Sequence, residues 1–139
     1  MKLEQNKAIA RDYLNELVNK GNMAAFDTFF AEDVVFNGSG NFREQFSIGT
    51  TAVRRAFPDH QLTIKDQIAA GDKVVTRVRY TGTQQGAFQG MPATGKSVDV
   101  QLVDIFGFDG DGRVREHWGV LDQLTLLQQL GVVPAGAPV

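Results

Sequence analysis

From Leu3 to Lys20 the apolar residues Ile9, Ala10, Tyr13, Leu14, Leu17 and Val18 recur at helical spacing with charges between them, and Gly21 supplies a stop. The spacing predicts an amphipathic helix. Asn22 suits an N-cap for a short second helix over Met23 to Phe30, whose Ala25, Phe26, Phe29 and Phe30 form an aromatic face that needs cover. AEDVVFNGSG reads as a brief strand ending in a Gly-rich turn, and Phe42 to Phe57 reads as a third helix closed by Pro58. After Pro58 the chain turns strand-like. QLTIKDQIAA, KVVTRVRYTGTQ, KSVDVQLVDIFGFD and RVREHWGV are rich in β-branched and aromatic residues. Gly71-Asp72, the loop QGAFQGMPATG and Gly110-Asp111-Gly112 separate them, so an antiparallel meander is expected. A last helix, Asp122 to Leu130, gathers Leu124, Leu126, Leu127 and Leu130 on one side and stops at Gly131. Helices first and strands after is the α+β order. One domain over 1–131 is expected, with a short flexible tail over 132–139.

Composition narrows the function classes. Fourteen Lys and Arg against sixteen Asp and Glu leave a net charge of -2, and Arg54-Arg55 is the only adjacent basic pair, so no nucleic-acid or membrane footprint is present. With no cysteine, thiolate nucleophiles, disulfides and thiolate metal sites are excluded by inventory. Two histidines, His60 and His117, far apart in sequence, argue against a His-rich metal site. The start MKLEQNKAIARDYL lacks an apolar core, so a cytoplasmic location is expected. There is no GxGxxG, P-loop, GxSxG or HExxH, so any catalysis must come from isolated acid–base residues in a pocket.

One residue breaks the phase of its strand. In KSVDVQLVDIFGFD one face carries Val98, Val100, Leu102, Asp104 and Phe106, so Asp104 is the only charge in an apolar series. Taking a carboxylate out of water is unfavourable unless it is paired, hydrogen-bonded or protonated, which makes Asp104 either a candidate acid or base or half of a structural ion pair. In RVREHWGV, Val114, Glu116, Trp118 and Val120 are expected on one face and Arg115, His117, Gly119 and Leu121 on the other. A lone strand histidine is more often a hydrogen-bonded core or surface residue than a catalyst. The eleven-residue loop QGAFQGMPATG is longer than a hairpin requires; its Phe88 and Met91 either form a lip over a cavity or fold back as core.

Three strings carry a family resemblance: AIARDYLNELVNKGNMAAFDTFFAEDVVF, FPDHQLTIKDQIAAGDKVVTRVRYTGTQQGAFQGMPATGKSV and DIFGFDGDGRVREHWGVLDQLTLLQQLG. In order, spacing and turn placement they resemble the SnoaL-like polyketide cyclases of the NTF2-like superfamily over nearly the whole chain. The resemblance implies a cone: a curved mixed or antiparallel sheet wrapped by three to four helices around an apolar pocket. It also implies a homodimer formed through sheet surfaces, with a small hydrophobic molecule as ligand; nothing in the sequence calls for a cofactor or a metal. Phe36, Phe57, Phe88, Met91, Leu102, Phe106 and Gly119 are the positions expected to contact that molecule.

Activity is argued residue by residue. In cyclases that close rings by intramolecular aldol condensation, an aspartate stands just after the position matching Trp118; here it is Gly119. Those cyclases carry a pocket histidine where this chain has Asp104, and a polar residue where it has Leu102. Three readings follow. In the first, Asp104, helped by His117, is the acid–base group of a cofactor-independent cyclase or isomerase acting on a hydrophobic carbonyl substrate. The second is noncatalytic binding of an apolar ligand, with Gly119 as the mark of a retired site. The third is epoxide hydrolysis by Asp104 with Asp122 and Arg77 or Arg79.

Overall fold

The computed structural model describes residues 2–134. Helix α1, Lys2–Asp12, continues into a wider π-helical segment, Tyr13–Asn19. The expected single α-helix is altered there because its end is tied to other elements. The Asn19 side chain bonds both N–H and C=O of Leu62, and Arg54 donates to the carbonyls of Val18 and Asn19, neutralising the helix terminus. A 3₁₀ turn, Met23–Ala25, leads into the four-residue helix α2, Phe26–Phe29; Asn22 precedes it without a side-chain cap. Phe30, expected to end that helix, instead begins strand β1, Phe30–Phe36. Helix α3 spans Phe42–Ala56.

Strands β2 (Gln61–Ala70), β3 (Lys73–Thr83), β4 (Ser97–Phe108) and β5 (Val114–Leu121) form the expected antiparallel meander. β1 adds to its free side parallel to β5, giving an open mixed sheet in the order β1-β5-β4-β3-β2. Helix α4, Gln123–Gln129, follows with Asp122 accepting from the Thr125 N–H as N-cap. Among the described residues, four α-helices and a five-stranded mixed sheet make the α+β cone anticipated from the sequence.

One local reading is corrected. The pairing of β4 with β5 shifts between Gly107↔Glu116 and Phe108↔Val114, so Arg115 is an extra residue and the faces exchange across it. Val114 is therefore fully buried, while Glu116 and Trp118, expected beside it, face outward with Val120. The loop after β3 folds back onto the sheet. Buried Gln84 accepts from the backbone N–H and hydroxyl of Thr94 and donates to the carbonyls of Gly86 and Pro92. Phe88 packs edge-on against Phe57 at 5.4 Å. The tail expected to be flexible starts anchored, with the N–H groups of Val132 and Val133 donating to the Leu127 carbonyl; its last five positions, 135–139, lie outside the described residues.

The core is an aromatic cluster beneath the β1–β5–β4 part of the sheet. Phe26, Phe30, Phe42, Phe46 and Phe106 meet with centroid separations of 4.7 to 5.8 Å. Burying each such ring contributes on the order of 1.5–3 kcal/mol before its edge-to-face contacts are counted. This mass packs one end of the cone and leaves the other end hollow.

Candidate functional site

A cavity of about 350 Å³ opens between the concave face of the sheet, the π-helical segment and α3. β4 places Asp104 on its inner face, in register with Thr76 of β3 and Gly119 of β5. Asp104 is 8% exposed and lines the cavity, as its phase in the strand predicted. On β5, His117 projects inward beside it, and Nε2 lies 3.1 Å from Asp104 Oδ1. With the carboxylate ionised, the hydrogen belongs on Nε2 and is donated to Oδ1. Phe106, Phe36 and Phe42 surround the imidazole at 4.7 to 5.0 Å, leaving Nδ1 buried without a partner among the described residues. The histidine thus orients one carboxylate oxygen, while Oδ2 makes no hydrogen bond among the described residues.

Gly119 is not a gap beside this pair. A Cβ built on it would stand 2.9 Å from Asp104 Oδ1 and 3.5 Å from His117 Nε2. The absence of a side chain at 119 is what lets the carboxylate of the facing residue occupy that space. The backbone at 119 is held in turn by Asn37, whose side chain accepts from the Gly119 N–H at 2.9 Å and donates to its carbonyl at 3.2 Å.

Tyr13 completes the polar end, and nothing in its sequence context distinguishes it from the core residues of an amphipathic helix. It lies 5% exposed on the cavity wall, its ring meeting those of Phe30, Phe106 and His117. Burial, and then the Asp104 carboxylate, push its phenol well above the ordinary tyrosine value. Tyr13 therefore remains a hydrogen-bond donor at neutral pH.

Of the positions expected to contact a ligand, Phe36, Leu102 and Gly119 line the cavity. Phe57, Phe88, Met91 and Phe106 do not. Phe106 is spent on the aromatic cluster, Phe57 is buried against Tyr80 and Phe88, and Met91 pairs with Phe88 through a tight backbone turn. The epoxide-opening group is not assembled either: Arg77 and Arg79 bond Gln101 and Asp99, exposed on the outer sheet face, and Asp122 caps α4. Among the described residues no cluster of three or more acidic, His or Cys side chains offers a metal site, and no helix is long and apolar enough to cross a membrane.

His60 and Tyr80, neither of them among the expected site residues, also line the cavity. Burial holds the His60 imidazole below its usual value, the Val18 carbonyl opposes this, the Arg54 cation adds to it and Asp59 opposes it. The folded state then binds fewer protons than the unfolded one just below about pH 6.5, the ordinary histidine value. The stabilising contribution is complete above that pH and is lost as pH falls through the lowered folded value. Urea unfolding at pH 7 and pH 5 is expected to show a larger loss of stability in the wild type than in His60→Gln; equal losses would contradict this.

The pattern of the SnoaL-like polyketide cyclases matches residues 8–130. No curated protein matches the chain. Among solved structures, AclR from Streptomyces galilaeus, a proposed hydroxylase, superposes with a TM-score of 0.85 at 28% identity, covering 97% of this chain and 86% of that one. TsrD from Streptomyces laurentii gives 0.82 at 28% identity over 94% and 97% of the two chains. IdmH from Streptomyces antibioticus, a proposed polyketide cyclase, gives 0.80 at 29% identity over 91% and 99%. With a cone of the same architecture and a family match over most of its length, the chain belongs to the SnoaL-like polyketide cyclase family.

Proposed function

We propose that this protein is a cofactor-independent acid–base enzyme of cyclase or isomerase type acting on a hydrophobic carbonyl compound of polyketide character. One observation carries the reading: the Asp104 carboxylate, oriented by His117, projects into the space that a side chain at Gly119 would occupy. The family's ring-closing aspartate is missing from β5 and a carboxylate reaches nearly the same point from the residue facing it on β4. That is the opposite of a retired site, and it disfavours the binding-only reading.

The chemistry follows from the geometry. Asp104 Oδ2 takes a proton from the carbon next to the substrate carbonyl, and the electrons of that C–H bond move into an enolate. The Tyr13 hydroxyl donates to the developing oxyanion, an interaction that strengthens as charge builds in the low-dielectric pocket. In an isomerisation the proton returns to a different carbon; in a cyclisation the enolate carbon attacks a second carbonyl, forming a C–C bond, and the resulting alkoxide is protonated. The isolated step is testable without the natural substrate. In D₂O the protein is expected to accelerate deuterium exchange at C1 of 2-tetralone, followed by NMR; an exchange rate no higher than buffer overturns the reading.

The convex face of the sheet supports a second part of the proposal, a homodimer. Ile68, Val75, Ile105 and Trp118 lie in register across four strands, and Val103 and Val120 extend the row. Ile68 and Val120 are 61% and 71% exposed. Of the neighbouring charges, Lys73–Glu116 and Arg79–Asp99 are paired within the chain, while Arg77 bonds the neutral Gln101. Light scattering coupled to gel filtration is expected to give a dimer for the wild type and a monomer for Val120→Lys; a monomeric wild type refutes the dimer.

A further inference from the structure

The face of α3 that closes the cavity has a gap in it. At about 100° per residue, Gln45, Gly49, Phe42, Val53, Phe46 and Thr50 follow one another around the helix over an arc of about 140°, and all six line the cavity. Gly49 falls inside that arc, with Gln45 and Val53 one turn away on either side. It also lies at the rim: among the described residues that line the cavity, only Gln45, Gly49 and Val120 are exposed. The mouth is therefore between α3 and the end of β5, where β1 has already stopped at Phe36 opposite His117 and leaves the edge of β5 without a strand beside it.

Nothing in the local structure requires a glycine at 49. It stands near the middle of the 15-residue helix, its φ is not in the left-handed region, and a Cβ built on it would meet no atom within 4 Å beyond its own turn of helix. Gly86 shows the contrast, since a Cβ there would stand 2.6 Å from the Arg55 carbonyl oxygen. Glycine inside a helix is destabilising relative to alanine, and an inward-facing position with room to spare would gain further from a buried apolar side chain. Gly49 gives up both. What it leaves is a clear strip along α3, continuous with the cavity and running out to the mouth. At about 350 Å³ the cavity is near the lower end of small-molecule sites, so a strip of this kind decides between a narrow and a wide ligand.

We propose that Gly49 is a specificity-determining residue: the strip it keeps clear takes part of the flat skeleton of a polycyclic ketone whose carbonyl lies at Asp104, and it sets the upper limit on substrate width. This rests on the reading that the cavity holds the substrate.

The test measures dissociation constants for 2-acetylnaphthalene and its three-ring homologue 2-acetylanthracene by fluorescence titration. Wild type is expected to bind both, the wider ketone more tightly. Gly49→Leu is expected to weaken 2-acetylanthracene by about tenfold or more relative to 2-acetylnaphthalene, within the range of about 10–200-fold over which fit in an apolar pocket discriminates. Gly49→Met, with a side chain that bends more readily, is expected to discriminate in the same direction. Ser47→Leu makes a comparable addition on the exposed outer face of α3 and is expected to leave both constants unchanged. Gly49→Ala is expected to raise the unfolding temperature by about 2–4 °C, because no contact is lost and the helix is strengthened. A wild type that binds neither ketone or binds the wider one no better, equal losses or no loss for the two ketones in Gly49→Leu and Gly49→Met, the same discrimination in Ser47→Leu, or a lowered unfolding temperature in Gly49→Ala would each overturn the assignment. The expected discrimination in a protein that does not exchange 2-tetralone would leave Gly49 in its role and remove only the catalytic reading.

Discussion

Asp104→Asn is expected to lower 2-tetralone exchange by about 10²–10⁴-fold, the range over which a positioned general base acts. The substitution keeps the shape of the side chain and an oxygen to accept from His117 Nε2, so the aromatic shell around the imidazole stays packed. Thermal unfolding should shift by only a few degrees, which separates loss of the base from loss of the fold. Exchange at the wild-type rate in this variant would remove Asp104 from the chemistry. Residual activity is expected to come from Tyr13, which still donates to the enolate oxygen when the base is gone.

Much of this site was legible because a strand has a strict period of two. Asp104 stood out as a charge on an apolar face, and the structure places it on the cavity wall. The pairing with His117 was less secure, because a face assignment holds only until the first bulge. The extra residue Arg115 moved Val114 inward, but it lies before His117, so the inner position of His117 agreed with the alternation counted back from Leu121. The aromatic positions were harder to divide. Phe36 and Phe106 are both inward-facing, and only the third dimension shows that the rings of Tyr13, Phe30 and Phe108 cover Phe106 while Phe36 reaches the cavity. Tyr13, His60 and Tyr80 were not legible as site residues at all. Each lies in an ordinary amphipathic or turn context, and each becomes distinctive only when the fold brings it to a shared hollow and leaves its polar atom without a hydrogen bond or beside a carboxylate.

The spatial relation between residues 104 and 119 is not visible in the sequence alone. A glycine in place of an aspartate reads as loss. In the sheet the two positions face each other, and the space vacated on β5 is filled from β4. A carboxylate can therefore keep its place in a pocket while changing its strand of origin, provided the facing residue gives up its side chain.

That relation makes the two positions energetically coupled. Gly119→Ala puts a methyl group where the Asp104 Oδ1 atom needs room, at a starting separation of 2.9 Å. Either the carboxylate swings away from His117 or the strands separate, and overpacking of this kind destabilises by about 1–3 kcal/mol. Displacing the base by about 1 Å is expected to reduce exchange by up to about 10²-fold. The stronger experiment moves the carboxylate back. Asp104→Ala alone should be as inactive as Asp104→Asn, and Gly119→Asp alone should be both unstable and inactive, because two carboxylates then compete for one space. Asp104→Ala with Gly119→Asp should regain at least about tenfold in exchange over Asp104→Ala, and should be more stable than Gly119→Asp, a non-additivity that only residues in contact show. If the double variant is no more active than Asp104→Ala and no more stable than Gly119→Asp, then position 119 is not an alternative origin for the catalytic carboxylate, and the glycine has to be explained some other way.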